Sequence, residues 1–232
     1  MANAILMASG LGSRMRPLTE TTPKPLIPVC GKPMIETVIE GLLAAGVEKI
    51  YIVVGYLGDQ FESLTKKYSD IEIIRNPYYE TINNISSMYV AADKLLLGDC
   101  YICEADLYVS DKSMFVKTLE ESCYFGKMVQ GFSDDWGFEL DNDGYISRVG
   151  KGVTDCFNMV GVAYFKADDA ARLSHFLKEE FGSEGYENLF WDDVVNRHLA
   201  ELRLHVHEIS GSEIEEIDTV DELRQVEKKL CE

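Results

Sequence analysis

Four short, largely apolar runs, residues 4–8, 50–54, 71–74 and 99–104, recur between segments of helical spacing, and this alternation constrains the fold more than any other feature of the chain. A strand that is apolar along its whole length must be covered on both faces, and strands separated by helices pair most simply as parallel neighbours. Met34, Ile35, Val38, Ile39, Leu42 and Leu43 repeat at helical spacing after Pro33, and Gly46 is placed to close that helix. Phe61, Leu64 and Tyr68 mark a second helix, and Met88, Ala91, Ala92, Leu95 and Leu96 a third. The expected fold is therefore α/β: a Rossmann-like, mostly parallel mixed sheet flanked by helices. Such sheets bind ligands beyond the carboxyl ends of their strands. That rule gathers the loop at Gly10, the segment from Gly55 to Gly58 and Asp106 around one crevice.

Past about residue 125 the rhythm changes. Residues 127–131, 138–140, 145–149 and 160–165 read as short strands joined by turns such as Asp141-Asn142-Asp143-Gly144. Helices are predicted over 168–180 and 189–202, then a strand over 204–209 and a final helix over 220–230. Neither a linker nor an internal repeat interrupts the chain, so 1–232 reads as one domain with two differently built halves.

Charge narrows the partners. Forty Asp and Glu against 22 Lys and Arg give a net charge of -18. Without a concentrated basic patch, a chain this acidic repels nucleic acid and anionic lipid surfaces. No stretch approaches the roughly 20 apolar residues needed to cross a bilayer, and the start, Met1 to Met7, is too short for a signal peptide. The cytoplasm is the expected location. Six cysteines (30, 100, 103, 123, 156 and 231) show no paired CxxC motifs, and a chain this long needs no staples, so reduced structural thiols are expected. The four histidines, 175, 198, 205 and 207, lack metal-ligand spacing and read as core or surface residues.

After the first strand the chain reads Ala8-Ser9-Gly10-Leu11-Gly12-Ser13-Arg14-Met15-Arg16-Pro17, then Thr22-Pro23-Lys24-Pro25. Two glycines let backbone N–H groups approach phosphate oxygens closely, and Ser13 adds a hydroxyl. Arg14 offers a planar fork and Lys24 a compact charge, the latter stiffened between prolines. Both are expected on the solvent side of the loop. No Gly-Lys-Ser/Thr follows, which separates this loop from a P-loop ATPase.

The loop resembles the signature of the nucleotidyltransferases that make nucleotide-diphosphate sugars and related cytidylyl compounds. Further along, Asn83-Asn84-Ile85-Ser86-Ser87-Met88-Tyr89, Glu104-Ala105-Asp106, Trp136, Phe190-Trp191-Asp192-Asp193 and Glu216-Ile217-Asp218 resemble the bacterial CTP:phosphocholine cytidylyltransferases in order and spacing. The resemblance implies a nucleotide-binding half at about 1–125 and an acceptor-binding half at about 126–232. It implies that Arg14 and Lys24 are catalytic, and that Ala8, Ser9, Gly10, Gly12, Ser13, Asn83, Asn84, Ser86, Ser87 and Glu104 bind nucleotide. Trp136, Lys151, Phe190, Trp191, Asp192 and Asp193 would bind the acceptor: the rings and carboxylates its ammonium, Lys151 its phosphate. Asp106, Glu216 and Asp218 would hold Mg²⁺. The implied substrates are CTP and a small phosphorylated or phosphonylated amine. Phosphocholine leads; 2-aminoethylphosphonate, phosphoethanolamine and a sugar 1-phosphate are the alternatives. A non-catalytic nucleotide-binding regulatory domain, the reading from a different class, should have lost Lys24 or Asp106, and this sequence keeps both. A homodimer and a fusion to another enzyme domain stay open.

Overall fold

The computed structural model describes residues 2–231. The first half runs β1 (Ala2–Ala8), β2 (Pro28–Val29), β3 (Lys32–Pro33), α1 (Met34–Ala44), β4 (Lys49–Val54), α2 (Glu62–Lys67), β5 (Ile71–Arg75), α3 (Ile85–Ala91), β6 (Asp99–Glu104) and β7 (Leu107–Val109). The second half runs β8 (Cys123–Ser133), β9 (Gly137–Leu140), β10 (Ile146–Gly150), β11 (Val153–Phe165), α4 (Ala167–Glu180), α5 (Trp191–Arg197), α6 (Leu199–Leu202), β12 (His205–Glu208), β13 (Ile214–Glu216) and α7 (Val220–Cys231).

The nine-stranded sheet has the order β10-β9-β11-β6-β1-β4-β5, with β8 pairing β11 and β12. Its first-half strands are parallel: β1 lies between β4 and β6, and β5 continues from β4. In the second half β11 pairs antiparallel with β6, β8 and β9, and β12 pairs parallel with β8. The sheet is thus mixed, with a parallel Rossmann-like core. Alternation along β1 sends Ala4, Leu6 and Ala8 into one apolar layer with α1, and Ile5 into the other with α3, α4 and α5. Cys100 and Cys103 likewise fall on opposite faces. A third, smaller cluster binds α7 to the segment after the first loop through Met15, Ile27, Val29, Met34, Ile217, Leu223 and Val226.

The chain leaves β1 toward β4 on one side and β6 on the other, which creates a switch point at their carboxyl ends. Ala8 pairs with Val54 and Met7 with Glu104, so Ser9, Gly55 and Ala105-Asp106 emerge along one edge.

Two expectations need correction. The helix predicted over 189–202 is two helices. Asp193 Oδ2 accepts the Phe190 N–H at 2.8 Å and starts α5 at Trp191, and His198 leaves helical geometry with its ring stacked on Phe176. The cysteines are not all reduced: Cys30 and Cys231 form a disulfide, with Cα atoms 6.0 Å apart. A sequence separation of 201 leaves no local spacing that signals the bond. The cause is tertiary, since α7 lies along the β2–β3 turn and Glu227 Oε1 accepts the Cys30 N–H at 3.3 Å. Cys100, Cys103, Cys123 and Cys156 are buried free thiols. Among the described residues no helix is long and apolar enough to cross a membrane.

Candidate active site

A cavity of about 220 Å³ opens beyond β1, lined by Met7, Ala8, Gly10, Gly12, Ser13, Arg14, Lys24, Pro25, Asp106 and Asp218. The loop that frames it is tied down on both sides. Ser9 Oγ donates to the Val53 carbonyl at 3.1 Å, and Thr19 Oγ1 donates to the Gly12 carbonyl at 2.8 Å. Gly12 has φ +61, and a Cβ there would meet Thr19 Cγ2 at 2.9 Å and Lys24 Cβ at 3.0 Å. Glycine is therefore required for both conformation and space. Around Gly10 a Cβ would meet nothing within 4 Å, which leaves its backbone open to a ligand.

Lys24 is not on the solvent side of the loop. It is only 7% exposed, and its Nζ donates to Asp106 Oδ2 and Asp218 Oδ1, both at 2.6 Å. Burial works against the ammonium, but Asp106 and then Asp218 outweigh it and hold the Lys24 pKa above its ordinary value. Arg14, with 69% of its side chain exposed, reaches Asp218 Oδ1 at 2.8 Å. Two cations and two carboxylates thus meet across segments far apart in sequence.

Glu216 is not gathered with them. Ile217 is buried between Glu216 and Asp218, so both acids point to the cleft, but Glu216 lines the neighbouring pocket. Desolvation in the cleft, then the charges of Asp218 and Asp106, push its carboxyl up to about 7. Among the described residues no three His, Cys, Asp or Glu side chains form a ready metal cage.

A second pocket, about 150 Å³, is lined by Ser9, Gly10, Asn76, Tyr79, Ile82, Asn83, Asn84, Ser86 and Ser87. Much of its polarity is already committed. Asn76 Nδ2 donates to Ser86 Oγ at 3.0 Å and to Ser87 Oγ at 3.2 Å, and Asn84 Oδ1 accepts the Trp191 N–H at 2.9 Å. These bonds fix the wall's shape and couple α3 to α5. Asn76 and Tyr79 were missed by the sequence reading. The position of Asn76 just beyond parallel strand β5 was the available signal.

The third pocket, about 130 Å³, is lined by Glu104, Lys127, Asp135, Trp136, Asn158, Met159, Val160, Gly161, Ile214 and Glu216. Glu104, expected on the nucleotide side, lines this pocket and neither of the other two. Gly161, at φ +73, lets β11 approach it, since a Cβ would lie 2.8 Å from Glu104 Oε2. Desolvation, then Asp106, Glu216 and Asp192, raise the Glu104 carboxyl well above its usual range. Trp136 is half-buried, with Phe190 edge-on to it at 5.4 Å between ring centroids.

Four residues expected at the acceptor, Lys151, Trp191, Asp192 and Asp193, do not line this pocket. Trp191 is 4% exposed and stacks on Tyr124 at 5.6 Å, which makes it core. Asp193 caps α5, and Asp192 is buried, accepting the Tyr124 hydroxyl at 3.0 Å. Starting a helix at Trp191 turns that stretch onto the sheet. Lys151 sits in the exposed turn between β10 and β11, where its carbonyl accepts from Arg148 Nη2 at 2.8 Å, and it lines none of the three pockets. Lys127, Asp135 and Asn158, which do line the third pocket, went unassigned because nothing local marks them.

Burial pushes the Asp192 carboxyl up to about 7. The folded state then binds more protons than the unfolded state between about pH 4 and pH 7, so stability falls as pH rises through that window. Asp192→Asn should raise stability by roughly 1–3 kcal/mol at pH 8, and the gain should vanish near pH 4. Urea melts at the two pH values check this; a destabilised variant at pH 8 would contradict it.

The family model described as nucleotidyl transferase matches residues 3–122. The chain is 52% identical to the 2-aminoethylphosphonate cytidylyltransferase of Lancefieldella rimae, over 95% of this chain and 90% of that one. It is 34% identical to the choline-phosphate cytidylyltransferase of Streptococcus pneumoniae, over 98% and 97%. The solved structure of the CTP:phosphocholine cytidylyltransferase from the same organism superposes with a TM-score of 0.90 over 99% of both chains, at 34% identity. These matches show the family: this chain is an enzyme of the nucleotidyl transferase family, grouped with its cytidylyltransferases.

Proposed function

We propose that the chain transfers CMP from CTP to 2-aminoethylphosphonate and releases pyrophosphate. The observation that carries the choice of acceptor is the third pocket, which sets three carboxylates, Glu104, Asp135 and Glu216, beside a single ring, Trp136. A primary ammonium binds by charge and hydrogen bonds to carboxylates, whereas trimethylammonium favours a full aromatic cage. With Trp191 in the core, the cage is reduced to Trp136 and the edge of Phe190. The relative at 52% identity carries the name of a 2-aminoethylphosphonate enzyme.

In this reading a phosphonate oxygen attacks the α-phosphorus of CTP in line. The new P–O bond forms as the bond to the bridging oxygen breaks, and that electron pair leaves with pyrophosphate. The nucleophile is already anionic, so no general base is required; the barrier is repulsion between anions. The Gly10–Ser13 loop cradles the triphosphate, with Arg14 at the cavity mouth. Lys24 holds Asp106 and Asp218 in register and neutralises them. Asp106 and Asp218 offer hard oxygens that already converge on one cation, the donor type Mg²⁺ takes together with phosphate oxygens and water. Held there, Mg²⁺ would neutralise charge on the triphosphate and the leaving pyrophosphate. A CTP-dependent enzyme works where CTP is made, which places it in the cytoplasm.

Phosphocholine is the second reading, favoured by the Trp136 ring face and the match to the S. pneumoniae enzyme. With both acceptors at equal concentration, phosphorus NMR should show mainly the phosphonate product; a predominance of CDP-choline would reverse the assignment. Trp136→Ala should raise the acceptor KM by roughly 2- to 30-fold, the range of one cation–π contact, and leave the KM for CTP unchanged. A rise in the CTP KM alone would move Trp136 to the nucleotide side.

A further inference from the structure

We infer that Lys127 is the residue that holds the anionic end of the acceptor, the role the family resemblance implied for Lys151. The inference rests on the reading above that the acceptor is a small amine bearing a phosphonate or phosphate.

Among the described residues Lys127 is the only basic side chain lining the third pocket, together with Glu104, Asp135 and Glu216. The basic residues of the phosphate cavity are already engaged: Lys24 by Asp106 and Asp218, and Arg14 by Asp218. Arg148 and Lys166, which flank the same strands, are paired with Glu139 and Asp99. Lys127 alone of these makes no ion pair or side-chain hydrogen bond among the described residues, although it is half-buried beside carboxylates in a chain of net charge -18. An uncommitted ammonium in an acidic pocket is a place for an anion.

Its mounting is firm. Lys127 pairs with Asn158 across β11, and on the other side β8 is held by β12 through Phe125 and Gly126. The residue therefore sits on an interior strand, whereas Lys151 rides an exposed turn. The pocket also adjoins the phosphate cavity: Glu104 pairs with Met7, which lines that cavity, and Glu104 and Glu216 each stand two residues from its carboxylates Asp106 and Asp218. A phosphonate entering this pocket finds acidic side chains on its other walls, and Lys127 is the cation placed to bind it. The pocket would then read both ends of a dipolar molecule: ammonium against carboxylates and Trp136, phosphonate against Lys127.

Half-molecules separate the two ends. Ethylphosphonate carries the anion without the amine, and ethylamine the amine without the anion. Binding of ethylphosphonate is followed by phosphorus NMR titration of protein saturated with α,β-methylene-CTP and Mg²⁺, so the triphosphate site is filled and no turnover is needed. Lys127→Met should weaken ethylphosphonate by about ten- to a hundredfold, the span of one charge-assisted hydrogen bond, and should raise the acceptor KM by the same factor. Inhibition by ethylamine and the KM for CTP should stay within about twofold, and Lys127→Arg should restore most of the loss. Unchanged ethylphosphonate affinity in Lys127→Met, no ethylphosphonate binding to the wild type, or an equal loss of ethylamine binding would overturn the assignment. Should the wild type turn over neither amine acceptor, the functional reading above fails, while the ethylphosphonate titration still decides the role of Lys127.

Discussion

Lys24→Met should lower turnover by about 10²- to 10³-fold, the effect of removing one central electrostatic stabiliser, and should also destabilise the fold. The ammonium is buried and holds Asp106 and Asp218 at 2.6 Å each. Methionine fills similar space but leaves Asp106 without its cation and Asp218 with only the exposed Arg14. A loss of about 1–3 kcal/mol follows from unsatisfied charge of this kind. Arg14→Ala separates the two consequences. Its guanidinium is exposed, so stability should stay within about 0.5 kcal/mol while turnover falls. Denaturant melts and single-turnover kinetics on both variants check the contrast. Near-normal turnover in Lys24→Met would remove the junction from the mechanism.

Asp106→Asn should reduce turnover by at least about a hundredfold and raise the Mg²⁺ concentration needed for half-maximal activity. The substitution keeps the shape and removes the charge. Asp106 and Asp218 are the two oxygen donors that converge on one point, so losing either charge weakens both the hold on Lys24 and the site for a divalent ion. Wild-type activity should vanish with chelator and return with Mg²⁺. Full activity in excess chelator would contradict this use of the carboxylates.

The parallel core was legible because its strands are mostly apolar, β1 and β4 most completely, and its helices periodic. The strand-end rule then put Gly10, Gly55 and Asp106 on one edge without knowledge of the pairing. Residue type and loop chemistry likewise pointed to Gly12, Arg14 and Lys24. What sequence could not give was direction and depth. Lys24 looks like a loop cation, yet two acids, 82 and 194 residues away, draw it inward. Trp191, Asp192 and Asp193 look like a binding motif, but the helix that starts there turns Trp191 and Asp192 into the core and uses Asp193 as a cap. Lys127 lies mid-strand with no local signal, and only the folded sheet brings it to the wall of the third pocket. The Cys30–Cys231 bond is the same kind of long-range fact.

The central claim is CMP transfer to a phosphorylated or phosphonylated amine, and pyrophosphate release tests it most directly. Wild-type protein is given each of CTP, ATP, GTP and UTP with 2-aminoethylphosphonate, phosphocholine, phosphoethanolamine or a sugar 1-phosphate, with and without Mg²⁺. The account predicts release only when CTP, Mg²⁺ and an amine-bearing acceptor are all present, fastest with 2-aminoethylphosphonate. Release with a sugar 1-phosphate but with no amine acceptor, or a preference for another nucleotide, would contradict it.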